Sequence, residues 1–279
     1  MKKLFSLVLV LALALPALAL GAEEAVMIDG PKWKIPATVS MPEGDGPFPF
    51  VVMFHGTGSD RNEAGGGYAL LAPKLAEAGI ASVRFDFVGS GDSTEDYANY
   101  TLTSGMEDGN AVIAYMQGQD KIDPDRIGVL GWSQGGTVAM LTASRNPKIR
   151  SMVTWAGAVD MSGFMADQYN EARANGHAVI EFDWRAPLNL SLAWYDEVRT
   201  IKIAEELLNY DGAVLAMAGS LDDVVPLTDM DIIIAAAPTE AKQKQVIEGA
   251  DHTFNVFSGD MSAFEALSGA TVEWFQNTL

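Results

Sequence analysis

The chain has 279 residues, no cysteine and a formal net charge of −19, with 48% hydrophobic and 20% charged residues. That length and mix give a globular core in one domain, or one domain with an insertion. The acidic balance excludes a nucleic-acid footprint and disfavours anionic membranes, and the lack of cysteine excludes disulfides, thiol catalysis and thiolate metal sites.

In chain order, "MKKLFSLVLVLALALPALALGAEE" comes first. Lys2 and Lys3 make a basic start, Leu4 to Leu15 an apolar run, and small residues precede Glu23. This is the layout of a secretory signal peptide over residues 1–22, cut after Ala22 or Ala19. It makes the protein secreted or periplasmic, with no stable membrane insertion once the leader is removed. The apolar run is short for a membrane span, and Pro16 sits near its end.

Residues 23–279 then read as one domain. "AVMIDGPKWKIPATVSMP" gives short extended pieces broken at Gly30-Pro31 and Pro36, a hairpin at a sheet edge. From Phe50 the rhythm changes. "FVVMFHG" is a continuous β-rich apolar run, a strand buried on both faces. "YALLAPKLAEAG" has helical spacing closed by Gly79. "IASVRFDF", "RIGVLGW" and "IRSMVTWAG" are three more buried strands, with helices "GMEDGNAVIAYMQ" and "GGTVAMLTASR" between them. "IKIAEELLNY" reads as a helix, "GAVLAMAG" and "KQKQVIEGA" as two further strands around a helix, and "MSAFEALSGATVEWFQ" as the last helix. Strand alternating with helix demands right-handed crossovers and a mostly parallel central sheet flanked by helices, an α/β class.

One segment breaks the alternation. Between the strand ending near Ala158 and "IKIAEELLNY" lie about forty residues, against about 2–6 for an ordinary connection. This insertion after the fourth buried strand, about residues 161–200, holds Phe164, Tyr169, His177, Phe182, Trp184, Trp194 and Tyr195. Ligands bind at the carboxyl ends of parallel strands, so the insertion is expected to be a lid.

The chemistry centres on "RIGVLGWSQGGTVAM". Ser133 stands on a tight strand-to-helix corner, with Gly131 two residues before and Gly135 two after. Such a corner exposes the serine oxygen at the sheet top, and the glycines remove side chains that would strike neighbouring backbone. The helix that follows turns its positive end toward a developing oxyanion. A nucleophilic serine needs a base and a third group to orient it. Of the three histidines, His252 in "EGADHTF" follows the last strand and satisfies the order serine, acid, histidine. His55 lies before the serine and is read as structural, anchoring its loop. The acid is expected after the preceding strand, where Asp222 and Asp223 both stand, with Asp160 a more distant alternative. Two backbone N–H groups are expected to hold the oxyanion, those of Gln134 and Thr57.

The stretches "FHGTGSDRN", "GIASVRFDFVGSGDS", "GWSQGG", "GSLDDVVP" and "IEGADHTF" resemble the α/β-hydrolase superfamily, and within it the small bacterial feruloyl (cinnamoyl) esterases. The resemblance covers essentially everything after the leader. It implies an α/β-hydrolase fold and a Ser133–His252–Asp222 triad, since the arrangement G-x-x-D-x-x-V-P selects Asp222. It also implies Thr57 and Gln134 in the oxyanion hole, and Asp86 and Asp92 as loop-bracing carboxylates. Residue 132 is Trp where those esterases often have His, and residue 57 is Thr where a bulky apolar residue is common. The insertion matches no substrate-specific lid. The expected function is hydrolysis of a small-molecule carboxylic ester, short-chain or aryl, with Trp132, Phe182, Trp184 and Trp194 lining the pocket. No metal or other cofactor is called for, and a homodimer is compatible with the reading. The rivals are a serine peptidase of the oligopeptidase type, weakened by the lack of a propeller-sized domain, a lactone hydrolase or lipase, and a catalytically silent binding protein of the same fold.

Overall fold

The computed structural model describes residues 23–279; the signal-peptide reading falls outside them. The described residues open with β1 (Glu23–Asp29), β2 (Lys34–Ser40) and β3 (Phe48–Phe54), then α1 (Gly67–Glu77), β4 (Ala81–Phe85), α2 (Leu102–Gln117), β5 (Ile122–Trp132), α3 (Gln134–Arg145) and β6 (Ile149–Trp155). Next come α4 (Tyr169–Asn175), β7 (His177–Phe182), β8 (Arg185–Ser191), α5 (Leu192–Thr200) and the short α6 (Ile203–Glu206). β9 (Ala213–Gly219), α7 (Thr228–Ala236), β10 (Lys242–Ile247) and α8 (Ser262–Thr278) complete the fold.

Eight strands form one sheet in the order β1-β2-β4-β3-β5-β6-β9-β10. β1 and β2 are antiparallel to their neighbours, while β4, β3, β5, β6, β9 and β10 run parallel. The apolar runs lie where burial on both faces requires them: every residue of β4 and β9 is buried, as is β3 after its first position. β10, "KQKQVI", sits at the sheet edge and is largely polar, as suits a strand whose outer side has no partner.

The insertion is not an unstructured loop. It folds as α4, a separate antiparallel hairpin of β7 and β8, and α5. The alternation in β7 makes this possible, since Ala178 and Ile180 are buried while Val179 and Glu181 are exposed. Part of its aromatic content packs on itself: the Trp194 ring lies edge-on to Phe164 at 6.1 Å and to Tyr195 at 5.0 Å. The helix expected over "IKIAEELLNY" is shorter than its pattern suggests, closing after α6 in a single 3-10 turn, Leu207–Asn209. Among the described residues, no helix is long and apolar enough to cross a membrane.

Candidate active site

Ser133 is the residue between β5 and α3, and it adopts φ 54° and ψ −123°, a backbone conformation that side-chain-bearing residues rarely take. The strain is held from several sides. Ser133 N donates to the Trp155 carbonyl at 2.9 Å, and the Ser133 carbonyl accepts from Gly136 N at 2.9 Å. A methyl group on Gly135 would run into the Phe54 and His55 carbonyl oxygens, and one on Gly131 into the Gly135 carbonyl. Glycine alone therefore lets the elbow close. Gln134 is the first residue of α3, so its N–H has no intrahelical acceptor, Ser133 supplies no side-chain cap, and the helix turns its positive end toward the corner.

Asp222 lies in the turn after β9 and His252 in the turn after β10. His252 Nδ1 is 2.9 Å from Asp222 Oδ2. Asp222 Oδ1 accepts the backbone N–H groups of Val224 and Val225, each at 2.9 Å, and the carboxylate is fully buried. The His252 carbonyl accepts from Trp132 Nε1 at 3.1 Å, so the residue before the serine also fixes the histidine loop. Asp223 and Asp160 are exposed, and Asp160 spends its Oδ1 on the Ser162 N–H.

His55 is buried and its ring is held at both nitrogens. Nε2 accepts from Phe87 N at 3.1 Å, which leaves Nδ1 to donate to the Gly56 carbonyl at 2.8 Å. Burial lowers its pKa, keeping the ring neutral. In a trans peptide the C=O and the following N–H point opposite ways. Tying the Gly56 carbonyl to His55 therefore turns the Thr57 N–H away from it. Behind this loop, buried Asp86 takes the Arg61 N–H at 2.7 Å, the Arg61 guanidinium and the Asp92 N–H at 2.9 Å, while Arg61 also pairs with Asp92 at 2.6 Å.

Ser133, His252, Thr57, Trp132, Phe182 and Trp184 line one cavity of about 600 Å³, together with Phe164, Val224 and Phe257. Trp194, expected among the lining residues, is not one of them. It is fully buried on the inner side of the insertion, and its indole N–H donates to Gln134 Oε1 at 3.1 Å.

Sequence reasoning missed Glu63, which lines the same cavity. Its Oε2 accepts the Gly56 N–H and its Oε1 the Ala64 N–H, and its backbone takes φ 64°. Burial pushes its carboxyl up to about 7. The available signal was its place in "HGTGSDRNE", six residues beyond Thr57 in the loop bordering the serine. Among the described residues, no group of three or more His, Cys, Asp or Glu side chains is arranged to hold a metal ion.

A parallel sheet carrying a serine elbow after its central strand, with an Asp–His pair after the last two strands, defines an α/β hydrolase. Solved structures share that fold. The ferulic-acid-bound form of Est1E from Butyrivibrio proteoclasticus superposes with a TM-score of 0.74 at 22% identity, covering 91% of this chain and 99% of that one. A dienelactone hydrolase from Anabaena variabilis does so at 0.66 and 18%, covering 93% and 99%. The prolyl oligopeptidase family model matches residues 69–277, and the chain belongs to that family of hydrolases. Among curated proteins, 2,6-dihydropseudooxynicotine hydrolase of Paenarthrobacter nicotinovorans is 26% identical over 261 residues, 86% of this chain and 61% of that protein. A putative carboxymethylenebutenolidase of Methylorubrum extorquens is 31% identical over 142 residues, 47% of this chain and 48% of that protein. The chain thus spans about half to two thirds of the length of these curated relatives.

Proposed function

We propose that the protein is a serine hydrolase of carboxylic esters, short-chain or aryl, working through an acyl-enzyme. The observation that carries this reading is the His252–Asp222 hydrogen bond at 2.9 Å on the cavity that Ser133 also lines. In the proposed cycle, His252 Nε2 takes the Ser133 proton as Oγ attacks the ester carbonyl. Asp222 holds Nδ1–H and steadies the imidazolium. The oxyanion rests on the Thr57 and Gln134 N–H groups, and the alcohol leaves with the proton from His252. Water repeats the sequence and frees the acid. An aromatic lining suits an apolar acyl or aryl group, and export through the 1–22 leader belongs to the same proposal.

Incubation of the purified protein and Ser133→Ala with p-nitrophenyl esters of rising chain length and with methyl ferulate tests it. Serine-dependent turnover is expected, and a folded wild type inert toward every ester would overturn it. The family match favours a second reading, peptidase activity. Turnover of peptide p-nitroanilides with no turnover of esters would select that instead.

A further inference from the structure

The insertion reaches further than the cavity mouth. From β8, the Arg185 guanidinium donates through Nη1 to the Gly58 carbonyl, one residue beyond Thr57, and through Nε to the Ala186 carbonyl at 2.8 Å. From α5, Trp194 Nε1 donates to Gln134 Oε1 at 3.1 Å. The other end of that amide, Gln134 Nε2, donates to the Tyr97 hydroxyl at 3.4 Å. Tyr97 is buried, and burial pushes its hydroxyl up to about 12, so it stays neutral through the working pH range. Gln134 itself is completely buried, with its amide pinned between the insertion on one side and Tyr97 on the other.

Neither Arg185 nor Trp194 lines the cavity. A simple cover needs only the apolar contacts that Phe164, Phe182 and Trp184 supply. These two side chains instead send directed hydrogen bonds to Gly58, in the loop after β3, and to Gln134, the first residue of α3, the two places that carry the oxyanion donors of the proposed reaction. The backbone of Gly58 leaves room for the same contact. Its φ is +69°, and a methyl group there would sit 2.6 Å from Arg185 Nη1 and 3.1 Å from Leu188 Cδ1. The core loop is shaped to receive the insertion.

We propose that the insertion is part of the oxyanion hole: Arg185 and Trp194 are positioning residues that set the Thr57 and Gln134 N–H groups, so acyl transfer requires the insertion to be seated. Reach alone does not supply catalysis; a displacement of about 1 Å in such donors costs about a hundredfold in rate. The inference rests on the serine-hydrolase reading and deepens it.

The test uses a probe that depends on the serine machinery and not on ester preference. The rate at which an alkyl fluorophosphonate phosphonylates Ser133 is measured on the purified full-length protein, with kcat and KM for a p-nitrophenyl ester beside it. Trp194→Phe keeps a buried aromatic side chain, though a smaller one, and removes the N–H. Arg185→Met keeps the stem and removes the donors, and Arg185→Lys restores one. Tyr169→Phe is the control, since the Tyr169 hydroxyl bonds Asp196 within the insertion at 3.1 Å and makes no hydrogen bond to Gly58 or Gln134.

Trp194→Phe and Arg185→Met are each expected to slow labelling and kcat about 10- to 100-fold with KM nearly unchanged. Arg185→Lys should recover part of the loss, and Tyr169→Phe should behave as wild type. Labelling within twofold of wild type in both folded variants overturns the proposal. So does a rise in KM with kcat intact, which marks a binding lid, or an equal loss in Tyr169→Phe, which marks general loosening. If Trp194→Phe fails to fold, by near-UV circular dichroism, the arginine pair decides. A wild type labelled at Ser133 yet inert toward esters sinks ester specificity alone, and the labelling rates still decide the role of the insertion. A wild type that is not labelled removes the serine-hydrolase reading and this inference together.

Discussion

The Asp222 carboxylate is divided between two tasks: Oδ2 lies 2.9 Å from His252 Nδ1, while Oδ1 takes the Val224 and Val225 N–H groups at 2.9 Å each. Three donors on one fully buried carboxylate fix its plane, and the oxygen left facing His252 can only accept, so Nδ1 carries the proton. Asn in its place presents an N–H toward Nδ1 and selects the wrong tautomer. Asp222→Asn is therefore expected to lower kcat about 10⁴-fold, while exposed Asp223→Asn and Asp160→Asn stay within about twofold. Steady-state kinetics on the three folded variants decides this, and a loss greater in either control than in Asp222→Asn would move the acid.

The elbow glycines are expected to matter by position, not by number. In Gly135→Ala the new methyl meets backbone carbonyls of Phe54 and His55, which cannot swing aside. A penalty of about 2–3 kcal/mol corresponds to a melting temperature lower by about 5–10 °C for a domain of this size. Gly269, inside α8, has open space where its methyl would go, so Gly269→Ala is expected to raise the melting temperature by about 2–4 °C through helix propensity. Calorimetric melts in the reverse order would show that the corner is not tight.

The contrast marks what the sequence makes readable. Ser133 and its glycines are neighbours along the chain, so strand, corner and helix stand in one quoted line. Asp222 and His252 are 30 residues apart, yet both follow strands of a parallel sheet and must emerge at the same end. Glu63 has no such mark. In sequence it is one of several carboxylates near the same loops, beside Asp60, Asp86 and Asp92, and only the fold-back of the loop onto the Gly56 N–H sets it apart. The aromatics of the insertion are equally alike until the β7–β8 hairpin has a register. That register ends at the Phe182–Arg185 pair, which puts Phe182 and the turn residue Trp184 at the cavity, and the following helix buries Trp194 against Gln134.

Glu63 gives the site a charge that changes near neutrality. Glu63 and His252 are the ionisable side chains among the described residues lining the cavity. With its carboxyl pushed up to about 7 by burial, Glu63 is neutral below that pH and adds a negative charge to the cavity above it. A substrate bearing its own carboxylate is repelled only in the ionised state. The kcat/KM ratio of a carboxylate-bearing ester to its neutral analogue is expected to fall about tenfold as pH rises from 6 to 8, roughly 1.4 kcal/mol. In Glu63→Gln that ratio should be flat. Stability carries the same sign. The folded state holds this proton more tightly than the unfolded chain, so stability is highest below the unfolded pKa and declines as pH rises to about 7. Parallel pH series of kinetics and melting on both proteins test the point, and a ratio that falls equally in Glu63→Gln assigns the charge elsewhere.

Trp184 and Phe257 stand at the mouth of the cavity with 66% and 70% of their surfaces exposed, unusual for rings of that size. Trp184 touches Phe182 at 5.4 Å between ring centroids, so the pair forms an apolar wall with one side unfilled. If a substrate group fills it, truncation should cost binding and not folding. Trp184→Ala is expected to change stability by less than about 0.5 kcal/mol. It should lower kcat/KM for an aryl or long-chain ester about fivefold to tenfold, the value of about 1 kcal/mol for one lost aromatic contact. An acetyl ester of a small alcohol carries no such group and should be turned over unchanged. The decisive quantity is the ratio of the two esters in one preparation, because it cancels errors in active-enzyme concentration. A ratio equal to that of wild type would leave the exposed rings without a substrate role and reduce this face of the insertion to packing.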